Sequence, residues 1–243
     1  MDWSISLSAL GFLFAGVVKG ATGLGYSSCA LPFLVSALGL KVAIVVLVVP
    51  AMLSNVFVMY STGHLRETVS RFWLLYAAMP PGIALGVAAL TLMDQGLATR
   101  SLGVITILYA GLALARPSLH LGQALQRHLQ IPVGVLNGFF TGLTGSQMMP
   151  LLPYMLALKL DPDRLVQANN VAVMLASAFL MAGLVTSGIM TWTHFEVSVI
   201  ALIPAFSGVQ MGTWIRARIP ATLFRMIVLT LLAIVGVILV ARP

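Results

Sequence analysis

Two apolar stretches of this chain are each broken near the middle by the same glycine-rich pattern, 122 positions apart. The first break reads Gly16-Val-Val-Lys-Gly20-Ala-Thr22-Gly23, and the second reads Gly138-Phe-Phe-Thr-Gly142-Leu-Thr144-Gly145. Leu31-Pro32-Phe33 follows the first and Leu152-Pro153-Tyr154 the second, with the register slipped by one residue. One unit is therefore written twice and interrupted at the same place. A glycine inside a helix costs about 1 kcal/mol relative to alanine, so neither stretch is expected to continue as one rod. Paired interrupted helices in corresponding positions of two halves point to the binding site of a membrane carrier.

Composition places the chain in a membrane. Its 243 residues are 60% apolar and only 8% charged, far from soluble norms. Apolar runs at 43–61, 72–93, 98–115, 167–188, 195–214 and 221–241 each approach the ~17–25 residues that cross ~30 Å of hydrocarbon. The longest polar connection, Arg116 to Gln130, has about 15 residues, which leaves no room for a separate soluble domain. The only cysteine, Cys29, lies inside an apolar segment and implies no disulfide framework. The N-terminus carries Asp2 and lacks a basic region, which argues against a cleaved signal peptide. A net charge of +7 is scattered over short loops between spans, a positive-inside pattern that excludes nucleic acid as the partner. The expected partner is the lipid bilayer.

Basic loops also set the topology. The first unit, 5–38, is too long for one straight crossing, so it either returns to its starting side as a hairpin or crosses once with a kink. If it returns, one face collects Arg66, Arg71, Arg116, Arg127, Lys159, Arg164, Arg216, Arg218 and Arg225. The other face then holds only Lys41, Arg100 and Arg242, with Lys19 left inside. That is a split of 9 to 3, whereas single crossings of both units give 7 to 5. The positive-inside bias selects the returning hairpins and makes the arginine-rich face cytoplasmic. Each half then has one hairpin and three crossings: repeat 1 at 1–118 with hairpin 5–38, and repeat 2 at 131–243 with hairpin 131–158. A cytoplasmic linker, 119–130, joins them. Three crossings are odd, so the second half is inverted, and both termini are periplasmic. The expected fold is an all-α polytopic membrane protein with two inverted repeats whose glycine-rich tips meet near the midplane.

Later parts of the halves correspond as well. Gly82-x-x-x-Gly86 matches Gly208-x-x-x-Gly212, with Pro80, Pro81 and Pro204 nearby. Small residues at this spacing point first to close helix packing.

The chemistry available at the tips suits an anion. Returning helices are expected to begin near Ser27-Ser28 and Gln147-Met148, and helix N-termini attract negative charge. Lys19 lies just before the first tip, where an ammonium costs at least ~2.5 kcal/mol in lipid. It serves either as an electrostatic ligand for an anion or as a lysine that bonds the frayed carbonyls of its own hairpin. The candidate binding set is Lys19, Gly20, Thr22, Gly23, Ser27 and Ser28 from the first unit. Gly142, Thr144, Gly145, Ser146 and Gln147 supply it from the second. Asn55, Asn169 and Asn170, in the helices after the hairpins, either contact substrate or tie broken backbone together. The acids Asp2, Glu67, Asp94, Asp161, Asp163 and Glu196 all map to loops or membrane edges, so no buried carboxylate relay is expected. The histidines His64, His120, His128 and His194 have no metal-ligand spacing. Gly20-Ala-Thr-Gly23-Leu-Gly25 lacks the Gly-Lys-Ser/Thr ending of a nucleotide loop, and no catalytic group set converges. No cofactor, metal or enzymatic activity is expected.

At these residues the chain resembles the TauE/SafE family of sulfite exporters, also called the toluene sulfonate uptake permease family. The resemblance rests on Ala15-Gly16-x-x-x-Gly20-x-Thr22-Gly23-x-Gly25 with Pro32, and on Gly138-x-x-x-Gly142-x-Thr144-Gly145 with Pro150 and Pro153. It implies a bacterial inner-membrane carrier for sulfite, organosulfonates or related small organic anions. Where the family often continues with a run of glycines, this chain has Leu24-Gly25-Tyr26-Ser27 and Ser146-Gln147-Met148-Met149. The expected mechanism is alternating access, one hairpin-bearing bundle rocking against the other. A channel-like anion pore, a membrane scaffold and an intramembrane enzyme are the rival readings. A homodimer is compatible with the chain, although nothing in the sequence demands one. A cysteine placed at Gln123 is expected to react with an impermeant thiol reagent only from the cytoplasm. Labelling from outside intact cells overturns the topology.

Overall fold

The structure, a computed structural model, describes residues 3–115, 121–216, 218 and 220–241. Asp2, Arg116, His120 and Arg242 lie outside the described residues. Every regular element among the described residues is helical. The first half contains α1 (Trp3–Thr22), α2 (Tyr26–Leu38), α3 (Leu40–Thr62), α4 (Leu65–Leu92) and α5 (Gln95–Ala115). The second contains α6 (Gln123–Thr144), α7 (Leu151–Ala157), α8 (Pro162–Thr186), α9 (Trp192–Ile200), α10 (Leu202–Arg216) and α11 (Ala221–Ala241). Five helical stretches among the described residues are long and apolar enough to cross a membrane: Trp3–Thr22, Leu65–Leu92, Gln95–Ala115, Pro162–Thr186 and Trp192–Arg216. Shorter apolar helices cover Tyr26–Leu38, Leu40–Val56 and Met226–Ala241. This is an all-α polytopic membrane protein.

Both glycine-broken units turn back on themselves. After α1 the chain reverses through Gly23 (φ 76°) and Gly25 (φ 85°), a left-handed backbone that only glycine adopts without strain. Across the turn the Phe14 and Phe33 rings meet at a tilt of 57°, their centroids 5.4 Å apart. The second unit reverses after Gly145 (φ 74°). It closes where Leu121 N donates to Ala157 O (3.2 Å) and the Tyr154 hydroxyl to Gln126 O (2.8 Å). The single-crossing alternative does not occur.

Contacts between connections sort the helix ends into two groups. A Cβ on Gly39 would meet the Gln95 amide, so the α2–α3 and α4–α5 connections share one end of the bundle. At the opposite end Arg164 reaches Glu67 at 3.5 Å, Arg71 donates to Gln126 Oε1 at 3.3 Å, and Gln130 donates to Arg71 O at 3.0 Å. The α1–α2 hairpin therefore opens towards the end that holds Lys41 and Arg100. The α6–α7 hairpin opens towards the end that holds Arg66, Arg71, Arg127 and Arg164.

One boundary differs from expectation. The second hairpin starts at Gln123 rather than 131, so helix replaces most of the expected 119–130 linker. Its first turns are polar, and Gln126 and Gln130 are used against α4. Likewise α7 starts at Leu151, later than Gln147-Met148, so Ser146 and Gln147 lie on non-helical backbone.

The glycines of the motifs divide into two jobs. Gly16 and Gly20 of α1 face Gly208 and Gly212 of α10, and Gly138 and Gly142 of α6 face Gly82 and Gly86 of α4. A Cβ on Gly16 would stand 3.0 Å from Gly208 Cα, and one on Gly86 would stand 2.8 Å from Gly142 Cα. These helices touch backbone to backbone, which is how association is gained where lipid supplies no hydrophobic drive. Each hairpin's first arm thus packs against the penultimate helix of the other half. The remaining helices pair like with like, α3 with α8 and α5 with α11.

Pro50 inside α3 has no N–H and frees the carbonyl of Val46 four residues back. Ser198 of α9, fully buried, supplies the missing donor: its hydroxyl lies 2.7 Å from Val46 O. Ser198→Ala leaves that carbonyl unsatisfied and is expected to cost about 1–3 kcal/mol, read as a lower thermal midpoint in detergent. An unchanged midpoint would show that the carbonyl has another donor.

Candidate functional site

The two chain reversals meet. Gly25 starts α2, so Tyr26, Ser27 and Ser28 occupy its first turn, while Ser146 and Gln147 lie on the extended backbone after Gly145. Ser27 Oγ donates to Gln147 Oε1 at 2.9 Å, and the hydroxyls of Ser28 and Ser146 stand 3.5 Å apart. Gln147 Nε2 in turn donates to Ser177 Oγ of α8 at 2.9 Å. The Asn137 amide, with its nitrogen turned inward, donates to Met149 O at 3.1 Å and Gln147 O at 3.3 Å. The irregular backbone of the second break is thereby satisfied from within the protein, as membrane depth requires.

Lys19 is 2% exposed and is gripped by two amides. Its ammonium donates to Asn55 Oδ1 of α3 at 2.6 Å and to Asn170 Oδ1 of α8. Both amides are oriented by their own nitrogens. Asn55 Nδ2 bonds Ala51 O, and Asn170 Nδ2 bonds Val166 O at 2.7 Å and Gly23 O at 3.1 Å. With the nitrogens so occupied, each carbonyl oxygen must face the ammonium. No carboxylate joins this cluster among the described residues: Glu67, Asp94, Asp161, Asp163 and Glu196 are all exposed. Hydrogen bonds are supplied, but opposite charge is not.

Beside the clamp, Asn55, Ser27, Ser28, Gln147 and Asn169 line a cavity of about 10 Å³, roughly the space of one water. Gly25, Tyr26, Met148 and Val173 complete its wall. Two polar atoms in this wall, the Tyr26 hydroxyl and Asn169 Oδ1, are buried without a hydrogen-bond partner. Buried polar atoms are rarely left so, and each one here marks a contact that a polar guest can complete. Lys19 itself is not on the lining; it stands behind Asn55.

The structure therefore brings together Lys19, Asn55 and Asn170 as one cluster, and Ser27, Ser28, Ser146, Gln147 and Asn169 beside it. Gly23 and Gly145 form the turns. Gly20 and Gly142 lie in the helix crossings, away from the cavity. Thr22 and Thr144 turn their hydroxyls onto Val18 O and Phe140 O of their own helices, at 2.8 and 2.7 Å. Sequence reasoning missed Tyr26, Met148, Asn137 and Ser177. Tyr26 and Met148 stand where the chain departs from a run of glycines, and that departure was the available signal. Asn137 and Ser177 carry no signal without the fold.

Crossed, glycine-welded helices and a buried cation between two chain reversals define a polytopic membrane protein with an internal polar site. The chain belongs to the sulfite exporter TauE/SafE family, whose model matches residues 8–239. No curated protein and no solved structure matches it. Tyr26→Phe removes a hydroxyl that has no protein partner, so its stability is expected to stay within about 0.5 kcal/mol of the parent. Transport should fall several-fold. Equal transport by the two proteins would show that the hydroxyl does not meet the guest.

Proposed function

We propose that this chain is a secondary carrier that moves a small anion, sulfite, an organosulfonate or a related organic anion, across the bacterial inner membrane by alternating access. One observation carries the reading: a buried lysine held only by neutral amides, beside a polar cavity where two chain reversals meet. Lys19 supplies the charge. Tyr26, Ser27, Ser28 and Gln147 supply donors, and Asn169 presents its N–H₂ group once its amide turns.

The end that carries Arg66, Arg71, Arg127 and Arg164 is cytoplasmic by the positive-inside bias, which leaves both termini periplasmic. Hairpins that open towards opposite ends, together with the reciprocal packing of the halves, support inverted repeats. The glycine crossings favour moving bodies that mix the halves rather than 1–118 rocking against 131–243. One body is α1–α3 with α9 and α10; the other is α4 with α6–α8. They meet along α3 and α8, which carry Asn55 and Asn170, with Lys19 of α1 reaching both. A cavity of about 10 Å³ at the meeting point supports a carrier's closed centre over a standing pore. Saturable flux that is accelerated by anion on the opposite side separates the two.

Lys19→Met is expected to lower sulfite or sulfonate flux in proteoliposomes at least tenfold, about 1.4 kcal/mol, while the protein still folds. Unchanged kinetics would remove Lys19 from the site.

A further inference from the structure

An ammonium carries three N–H bonds; a neutral amine carries two, with a lone pair in the third place. Among the described residues Lys19 meets two acceptors, Asn55 Oδ1 and Asn170 Oδ1. The amide nitrogens are held by Ala51 O, Val166 O and Gly23 O, so both amides stay turned with oxygen towards Lys19. The clamp therefore matches the two N–H bonds of the amine and leaves the ammonium one acceptor short.

Opposite charge is missing from every side. α2 and α10 pack on α1, while α3 and α8 supply the amides. Among the described side chains, α2 brings Tyr26 and Cys29, a phenol and a thiol, and α3 brings Lys41 at its start. α8 brings Asp163 and Arg164 in its first turn, and α10 brings Arg216 at its end. Asp163 is the only carboxylate of these. It is exposed and seven residues before Asn170, about 10 Å along the helix. A buried charge with no counter-charge is costly, and an unmet N–H adds to that cost.

We propose that Lys19 takes up a proton with each anion and gives it back when the anion leaves, so that the carrier moves the two together. The inference rests on the anion-carrier reading above and names the coupled ion. A proton from water on the entry side binds the Nζ lone pair and becomes the third N–H. That N–H is the one the amides leave for an oxygen of the anion. On the exit side the anion departs, Nζ returns the proton to water, and no other bond changes. Empty and loaded sites then carry the same net charge, so neither crossing works against the membrane potential. By linkage, the proton raises affinity for the anion by the factor by which the anion raises affinity for the proton.

Methanesulfonate and benzenesulfonate stay ionised and do not buffer, so their uptake into proteoliposomes that enclose a pH-sensitive dye tests the coupling. Wild-type uptake is expected to acidify the lumen by one proton per anion and to ignore a potassium–valinomycin potential. Its kcat/KM should rise about tenfold for each unit by which the outer pH falls, the mass-action slope of one proton. Lys19→Arg has a permanent charge. It should lose net uptake of a sulfonate or of sulfite at least tenfold more than anion-for-anion exchange, because its empty site cannot discharge. Uptake without proton entry, uptake that follows the potential, or equal effects of Lys19→Arg on net uptake and exchange overturns the coupling. Should Lys19→Arg fail to fold, the wild-type dye and voltage readings decide alone. If coupling fails while flux still depends on Lys19, the anion-carrier reading stands without it. Absence of flux for both sulfonates and for sulfite overturns both.

Discussion

Lipid offers no hydrogen bonds, so a backbone that reverses direction inside a membrane must find every partner within the protein. This chain reverses there twice, and the two reversals are in large part each other's solution. Ser27 of the first turn bonds Gln147 of the second, and Gly23 O accepts from Asn170 of the second half. Gln147 is fixed in turn by Ser177. Neither hairpin could be stable alone in lipid, because each would expose peptide groups at several kcal/mol apiece. The same polar groups that make the reversals tolerable form the walls of the candidate site. Structural need and binding chemistry are served here by one set of residues.

Glycine does two different things within one short motif. At Gly16, Gly20, Gly138 and Gly142 the missing side chain lets helices touch at the backbone. Three residues after Gly20 and Gly142, at Gly23 and Gly145, it permits a left-handed turn. From the sequence both roles look like helix breaking, and so Gly20 and Gly142 were grouped with the binding residues. The distinction depends on which helix arrives at that face, and α10 and α4 arrive from the other half of the chain. Spacing alone gave the Gly82/Gly86 and Gly208/Gly212 pairs as packing surfaces, without their partners.

Hairpins and spans could be read from the chain because they follow from hydropathy, glycine position and arginine asymmetry. Lys19 stood out for the same reason: one charge in an apolar run is conspicuous. Its partners were less visible. Asn55 and Asn170 are amides 115 positions apart, and only the antiparallel approach of α3 and α8 makes them a pair. Tyr26 looked like bulk at a tip, since an unpartnered hydroxyl is a property of surroundings. The start of α6 lies earlier than the sequence suggests because Gln123–Gln130 is polar, and hydropathy does not mark polar turns as helix.

The nature of the Lys19 clamp bears on how binding and movement are linked. A carboxylate partner would have cancelled the charge and left little pull on an incoming anion. Two amide oxygens satisfy the geometry of the Lys19 amine and bring no opposite charge to it. They also come from different halves of the chain: Asn55 belongs to α3 and Asn170 to α8. Lys19 itself rides on α1, so its bond to Asn170 ties the first half of the chain to the second, as do the bonds Ser27–Gln147 and Asn170–Gly23. In the proposed carrier, an anion that draws Lys19 towards the cavity competes with that tie, and one that engages Ser27 or Gln147 competes with another. Occupying the site and loosening the contact between the halves would then be the same event. A ligand shifts a conformational equilibrium only through such differences in contact between the two states.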